Sequence, residues 1–143
     1  MPAESKSSLY LAEPAARYTR YPPLVVDCSV LAAVLFDEEE REVAALAMAG
    51  KELFAPELLD HELVRVALKK SRAGLSAAAR TALLDLADLR LTRRAVNAVA
   101  QFELAVRLKL TACDAAYLQL ALDLGAPLVT FDEKLGRVAA KVL

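Results

Sequence analysis

The sequence has very few of the residues that build disulfide frameworks or zinc sites. It contains two cysteines, Cys28 and Cys113, and one histidine, His61. A disulfide-rich scaffold and a cysteine–histidine metal knuckle are therefore both excluded. We expect the cysteines to be small buried core residues. Each directly neighbours an acidic residue considered below, which is consistent with the two lying close together in the fold.

The sequence also lacks an excess of positive charge and a long apolar run. Its 18 basic and 19 acidic residues give a net charge of −1, so no global positive field indicates nucleic-acid binding, although a local patch would suffice. No apolar stretch reaches the roughly 18 residues that span a bilayer, and residues 1–21 contain no apolar signal-peptide segment. We therefore expect a cytoplasmic protein.

What remains is a chain of 143 residues, 57% of them hydrophobic, which fits one globular domain rich in helix. Residues 1–21 combine prolines, serines and mixed charges and are predicted to form an N-terminal tail outside the core. Three tyrosines of this tail, Tyr10, Tyr18 and Tyr21, could pack on a second subunit. Residues 22–143 are predicted to form the domain.

Strand and helix patterns alternate along this domain. The apolar segments 24–27, 53–55, 89–91 and 127–130 are predicted strands. Predicted helices cover 30–36 after a cap at Ser29, 38–49, 56–71 starting at Pro56, 77–87 after a cap at Ser76, 94–108, 112–124 after a cap at Thr111, and 133–140. Alternation of this kind predicts an α/β fold, a three-layer α/β/α sandwich with a short parallel sheet.

Four acidic residues stand in apolar sequence, where an unpaired carboxylate is costly to bury. They are Asp27, Glu62, Asp114 and Asp132. Asp27 and Asp132 follow predicted strands, and Glu62 and Asp114 lie near the starts of predicted helices. Because ligands of open parallel sheets bind outside the carboxyl ends of the strands, the four side chains are expected at one edge of the sheet.

Such a group of carboxylates needs a divalent cation to offset its charge at neutral pH. Oxygen ligands favour Mg²⁺ or Mn²⁺ over zinc, and such ions activate water for attack on a phosphodiester. Taken singly, Asp114 is explained as a first-turn helix charge and Asp132 as a turn residue. Their combination at matching positions favours the metal site.

The surroundings of these acids resemble the PIN-domain ribonucleases, especially the VapC-like toxins of bacterial toxin–antitoxin pairs, over residues 24–141. The family pattern is a strand ending in Asp-x-Ser, a helical Glu, and two longer blocks that are specific as a pair. The matching segments are Asp27-Cys28-Ser29, Glu62, Thr111-Ala112-Cys113-Asp114-Ala115-Ala116-Tyr117-Leu118-Gln119-Leu120-Ala121, and Gly125-Ala126-Pro127-Leu128-Val129-Thr130-Phe131-Asp132.

The resemblance implies a PIN-like fold and a metal-dependent endoribonuclease, the toxin of a toxin–antitoxin pair, with Mg²⁺ or Mn²⁺ as cofactor. The four acids would be catalytic residues and metal ligands, directly or through water. Ser29 and Thr130 would orient carboxylates or bound water. The resemblance further implies an RNA substrate, a cognate antitoxin protein and a homodimer.

One position departs from the family pattern: Arg65 stands where Asn often follows the helical Glu by three residues. Arg65 could contact the scissile phosphate, or it could pair with a carboxylate and compete with metal. In the second case the chain is a catalytically degenerate PIN domain acting as a protein-interaction module. A phosphotransfer domain that uses Asp27 is a further alternative.

Basic side chains and apolar helix faces leave additional expectations. Lys69, Lys70 and Arg72 form a basic run at a helix end, as do Arg93 and Arg94. The ordinary explanation is a solvated helix terminus, and contact with an RNA backbone is the alternative. His61 is expected to be exposed or capping. Helices 38–49 and 57–71 could offer an apolar groove to an antitoxin helix.

Overall fold

The computed structural model describes residues 7–14 and 21–143, in which five strands and seven helices alternate. In chain order these are β1 (Tyr10–Ala12), β2 (Pro23–Val26), α1 (Cys28–Leu35), α2 (Arg41–Met48), β3 (Glu52–Pro56), α3 (Leu59–Arg72), α4 (Ser76–Asp88), β4 (Leu91–Arg94), α5 (Ala98–Leu108), α6 (Ala112–Leu124), β5 (Leu128–Thr130) and α7 (Glu133–Val142). None of the described helices is long and apolar enough to cross a membrane.

The strands form one sheet in the order β1-β5-β2-β3-β4. Strands β5, β2, β3 and β4 are parallel, whereas β1 runs antiparallel to β5. In the centre, Leu24, Val25 and Val26 of β2 are all buried. A continuous apolar strand of this kind is typical of a parallel sheet with both faces covered.

Helices supply that cover. Helix α6 contacts β2, β3 and β5, and α5 packs along α6. Helix α1 contacts β5 and packs with α2, α3 and α4, while α7 contacts β1 and β5. The predicted α/β sandwich around a short, mostly parallel sheet is confirmed.

Strands β2 and β5 end side by side, which places the segments that follow them together. Val26 is the register partner of Val129, and the Asp27 N–H donates to the Val129 carbonyl at 3.0 Å. The chain leaves both strands at the same edge of the sheet, directly before the N-termini of α1 and α7.

Part of the predicted tail belongs to the core. Tyr10–Ala12 form β1, with Tyr10 opposite Thr130, and Ala12 is only 4% exposed. The prediction that this segment lies outside the core was wrong, because its three strand residues pair with the free edge of β5 and contact α7. Tyr18 lies outside the described residues.

One proline and one arginine were predicted to lie in the wrong type of secondary-structure element. Pro56 and Arg94 were predicted to start helices, but they pair with each other as the last residues of β3 and β4. Proline is tolerated at a strand end because its missing N–H disturbs only the last rung of the ladder. Helix α5 begins instead after Asn97, whose side chain accepts from the Ala100 N–H at 3.0 Å. The predicted strand 89–91 is accordingly shifted to Leu91–Arg94.

Three helix starts also differ from the predictions. The N-cap of α1 is Asp27, with Ser29 inside the first turn. Helix α2 begins at Arg41, after a turn in which the Arg41 N–H donates to the Glu38 carbonyl at 3.1 Å. Ser76 is the first residue of α4, and its hydroxyl shares a hydrogen bond with that of Ser71. The predicted Thr111 cap and the Gly125 end of α6 are confirmed.

Candidate active site

Asp27 is the buried centre of the site. It follows β2 directly, caps α1, and is 6% exposed. Its Oδ2 accepts from the Ser29 hydroxyl at 2.6 Å, from the Thr130 hydroxyl at 2.8 Å and from the Ser29 N–H at 3.4 Å. These bonds fix one oxygen of the carboxylate and leave Oδ1 as the oxygen for a ligand.

The same two hydroxyls tie Asp27 to the end of β5. The Ser29 Oγ accepts from the Phe131 N–H at 3.0 Å, and the Thr130 Oγ1 accepts from the Asp132 N–H at 2.9 Å. Because each hydroxyl donates to Asp27 and accepts from the backbone, its proton position is determined. Ser29 and Thr130 therefore orient the Asp27 carboxylate and set the backbone that carries Asp132.

Glu62 reaches the site from the first turn of α3. Its Oε1 accepts from the Tyr117 hydroxyl at 2.7 Å. Tyr117 is fully buried on α6, so this bond fixes one carboxylate oxygen from the interior side. The other oxygen, Oε2, remains for a ligand.

Asp114 and Asp132 lie at the N-termini of α6 and α7. Thr111 caps α6 by accepting from the Asp114 N–H at 3.1 Å. Asp132 caps α7, its Oδ1 accepting from the Leu135 N–H at 2.8 Å. Helix N-termini favour negative charge, which explains why both acids tolerate these positions.

Burial and mutual repulsion raise the pKa values of three of these carboxyl groups. Burial is the main cause for Asp27, where the Ser29 and Thr130 hydrogen bonds oppose it. Burial also leads for Glu62, with Asp27 and Asp114 adding to the rise and Tyr117 and Arg65 opposing it. For Asp114, burial is followed by the charges of Asp132 and Asp27. The acids thus influence one another, as expected of one site.

Within the described part of the chain, none of the four carboxylates forms an ion pair with a cationic side chain. The predicted pairing of Arg65 with a carboxylate is therefore not present among those residues. Arg65 is exposed and lines a groove that also contains Glu62 and Cys28. The cations Arg65, for Glu62, and Lys134, for Asp114, act on these carboxylates through their charge without a direct ion pair in the described residues.

The family model for the PIN domain matches residues 24–141. This chain belongs to the PIN-domain family. The crystal structure of PAE2754 from Pyrobaculum aerophilum is similar in fold, with a TM-score of 0.63 and 24% sequence identity over 82% of this chain and 81% of that chain. No curated protein matches the chain significantly in sequence. PIN domains are generally nucleases that use divalent metal ions.

The donor set of this PIN domain fits such an ion in chemistry. All four acids offer oxygen, the ligand type of Mg²⁺ and Mn²⁺. Among the described residues, no three His, Cys, Asp or Glu side chains are grouped so as to hold an ion together. Mg²⁺ usually keeps several waters and takes one or two protein carboxylates, so one or two of these four acids, completed by water, would satisfy it.

The cysteines of the PIN domain flank the acids but are poor nucleophiles. Burial raises the pKa of Cys28 to about 12, with Glu62 and Asp27 adding to it. Burial likewise raises the pKa of Cys113. Cys28 is buried and both thiols are free. The charges of Glu62 and Asp27 add to the rise in the pKa of both thiols, and Cys113 adds to that of Cys28, so the two cysteines lie in one region, as the sequence indicated.

Two positioning contacts escaped the sequence-based prediction. Tyr117 stands in the family motif, three residues after Asp114 on the same face of α6, and that spacing was the available signal for its role.

Arg93 was assigned to a solvated basic run. Its guanidinium instead binds both oxygens of Asp60, Nε–Oδ2 at 2.6 Å and Nη2–Oδ1 at 2.8 Å, and so fixes the first turn of α3, which carries Glu62. His61 is exposed.

Proposed function

We propose that this PIN domain is a metal-dependent endoribonuclease that hydrolyses RNA phosphodiester bonds with Mg²⁺ or Mn²⁺. The observation that carries the proposal is the convergence of Asp27, Glu62, Asp114 and Asp132 from four elements, three of them with raised pKa values and none with a cationic partner in the described structure. A divalent cation is the group that relieves such a site.

The acids differ in how firmly neighbouring groups hold their carboxylates. Asp27 and Glu62 each hold one oxygen fixed by protein donors and present the other. Asp114 lies partly exposed in the first turn of α6, where the Thr111 side chain and the helix start favour its charged form. A bound ion would neutralise phosphate charge and lower the pKa of an attacking water. Positioning and charge neutralisation are most of what phosphoryl transfer requires from a protein.

Phosphotransfer through Asp27 is less well supported. A phosphoacceptor carboxylate needs an accessible oxygen, and Asp27 is almost fully buried with three hydrogen bonds to Oδ2. These contacts suit a fixed ligand better than a nucleophile that becomes esterified.

The test is cleavage of a fluorescently labelled RNA with Mn²⁺, Mg²⁺ or excess EDTA. We compare the wild type with Asp27→Asn, Asp114→Asn and the matched control Asp123→Asn. Asp123 lies on the same helix as Asp114 but binds the Gln119 side chain at 2.8 Å near the other end. We expect cleavage only with metal, a loss of about 100-fold or more in the two site variants, and wild-type activity in the control. Cleavage that persists unchanged in both site variants would contradict the proposal.

Arg65 decides between an active and a degenerate site. Since Arg65 pairs with no carboxylate in the described structure, we propose that it supports activity by contacting phosphate. Arg65→Asn should then weaken RNA cleavage mainly through KM. Activity that appears or rises in Arg65→Asn would instead identify Arg65 as inhibitory.

We further propose that the nuclease is a cytoplasmic toxin controlled by an antitoxin protein. Support comes from the family resemblance and from an apolar groove of about 470 Å³ between α3 and α4 that contains Val64, Leu68 and Leu84. The sequence had instead indicated a groove offered by helices 38–49 and 57–71. Co-expression with the product of an adjacent small reading frame should suppress cleavage, and Leu84→Asp should restore it. Leu46→Asp on α2, also exposed, is the control.

A homodimer through α5 is the corresponding proposal for oligomeric state. Val99, Phe102 and Val106 form an exposed apolar row along α5, with Phe102 67% exposed. Glu103 and Arg107 flank the row, so two antiparallel copies of α5 would place opposite charges together. Sedimentation should show a dimer for the wild type and for Leu46→Asp, and a monomer for Phe102→Asp. A Phe102→Asp dimer would refute this interface.

A further inference from the structure

A groove of about 570 Å³ runs along α3 away from the acidic site. Its walls combine one candidate catalytic acid, three cations and apolar side chains: Cys28, Glu62, Arg65, Val66, Leu68, Lys69 and Arg72. The three cations all come from α3 and all lie on one side of Glu62 in the sequence. The groove therefore begins at the acids and becomes positively charged as it leaves them.

Helix geometry places these side chains in one row. Glu62, Arg65, Lys69 and Arg72 follow the spacing i, i+3, i+7 and i+10, so at 3.6 residues per turn they fall within about 80° of one another around the helix. With a rise of about 1.5 Å per residue, the row extends roughly 15 Å. Phosphates of one strand in a duplex are about 3.4 Å apart along the axis, so at a comparable spacing a row of about 15 Å would span roughly four phosphates.

The cations of this row are available for a ligand. Arg65, Lys69 and Arg72 are exposed, and none forms an ion pair in the described part of the chain. Lys70 differs from them: its Nζ lies 3.4 Å from Glu38 Oε1 and 6.0 Å from the centroid of the Phe36 ring. The basic run at the end of α3 thus contains two kinds of residue, and Lys70 belongs to the packing with the α1–α2 connection.

We infer that the groove along α3 is a single-stranded RNA subsite, in which Arg65, Lys69 and Arg72 bind the backbone phosphates of nucleotides on one side of the scissile bond. This inference rests on the proposed nuclease function and adds the path that the strand takes. Among the described residues that line the groove, the polar groups beyond Glu62 and Cys28 are the three cations. Contacts from such cations to phosphate position a strand and carry no sequence information directly.

The test measures RNA binding separately from cleavage. Binding of a labelled 12-nucleotide RNA is followed by fluorescence anisotropy in EDTA at 50 and 200 mM salt, in an Asp114→Asn background. Each lost phosphate contact lowers the salt slope by about 0.7 for a single strand. The double variant Lys69→Ala/Arg72→Ala should therefore lower it by about 1.4, so that the same salt increase weakens the parent by about sevenfold more than the double variant. Lys70→Ala is the matched control and should leave the slope unchanged.

A second arm uses chains without the background substitution and compares a dinucleotide with 5′-extended and 3′-extended RNAs. Lys69→Ala/Arg72→Ala should raise KM for one of the two extensions more than for the other and more than for the dinucleotide, whereas Lys70→Ala should change none of the three. An unchanged salt slope in the double variant, an equal fall in Lys70→Ala, or no RNA binding by the parent would each overturn the subsite. A reduced slope together with no cleavage by the wild type would retain the subsite and refute the nuclease function, so the two failures are distinguishable.

Discussion

The hydrogen bond from Tyr117 to Glu62 allows a substitution that tests the site without enlarging the core. Tyr117→Phe keeps the fully buried ring and removes only the hydroxyl that donates to Glu62 Oε1 at 2.7 Å. A hydrogen bond to a charged group contributes about 1.5–3 kcal/mol. Because Glu62 is only partly buried, we expect Tyr117→Phe to lose about 1–2 kcal/mol of the stabilisation of the charged Glu62 carboxylate. This corresponds to a factor of roughly 5–30 in an equilibrium constant.

The substitution should also shift the pH dependence of cleavage in a defined direction. The Tyr117 bond opposes the rise in the pKa of Glu62 that burial causes. Without the hydroxyl, the pKa of Glu62 should rise further, so the acidic limb of the pH–rate profile should move to higher pH. The Mn²⁺ concentration needed for half-maximal cleavage should also increase, since a less well oriented ligand binds metal more weakly.

The assay is the pH and Mn²⁺ dependence of RNA cleavage for the wild type, Tyr117→Phe and Tyr10→Phe. Tyr10, on the edge strand β1, is the matched tyrosine, and its ring packs against Gly136. We expect Tyr10→Phe to follow the wild type. If Tyr117→Phe has the wild-type pH limb and the wild-type Mn²⁺ requirement, the hydroxyl does not position Glu62 for catalysis.

Three further predictions concern stability. The pKa of Asp114 is raised in the folded chain, so its contribution is most favourable at low pH and is lost as pH rises through the folded pKa; Asp114→Asn should gain on the order of 0.5–2 kcal/mol at pH 7.5 and little at pH 3, measured by urea unfolding. Thr130→Val removes one of the three hydrogen bonds to Asp27 and the Thr130 acceptor of the Asp132 N–H, and it should lose about 1–3 kcal/mol in the same assay, whereas an unchanged midpoint would refute that role. A methyl group at Gly136 would collide with the Cβ and the ring of Tyr10, so Gly136→Ala should lower stability by about 1–3 kcal/mol; Tyr10→Gly, which removes both, should recover part of the loss, and strictly additive effects would contradict the contact.

The sequence was most informative where a local signal and a tertiary position coincide. Thr111 and Gly125 bound α6 as predicted because a cap and a positive-φ glycine act within one turn of the chain. Asp27 and Asp132 were placed correctly beside the strand ends because parallel strands present their carboxyl ends to one edge.

The misassigned segments depend on partners that the local sequence does not show. Tyr10–Ala12 is too short to be predicted as a strand, and it forms because β5 offers a free edge and α7 a surface. Pro56 and Arg94 extend their strands because they pair with each other. The Tyr117–Glu62 bond joins residues 55 positions apart, and the tertiary packing that places α6 on the sheet brings them together.

The buried and mutually repelling acids of the site reduce stability at neutral pH. The side chains that hold these acids in place indicate what the site is for. Burial raises the pKa values of Asp27, Glu62 and Asp114, and the charge of Asp27 adds to the rise for the other two, which lowers stability at neutral pH. Ion pairs with guanidinium groups would offset that cost, yet within the described residues these acids form none. Asp27 and Glu62 accept instead from the hydroxyls of Ser29, Thr130 and Tyr117. Hydroxyls fix the carboxylates in place yet leave their charge uncancelled, and an uncancelled, fixed negative charge is what a divalent cation requires.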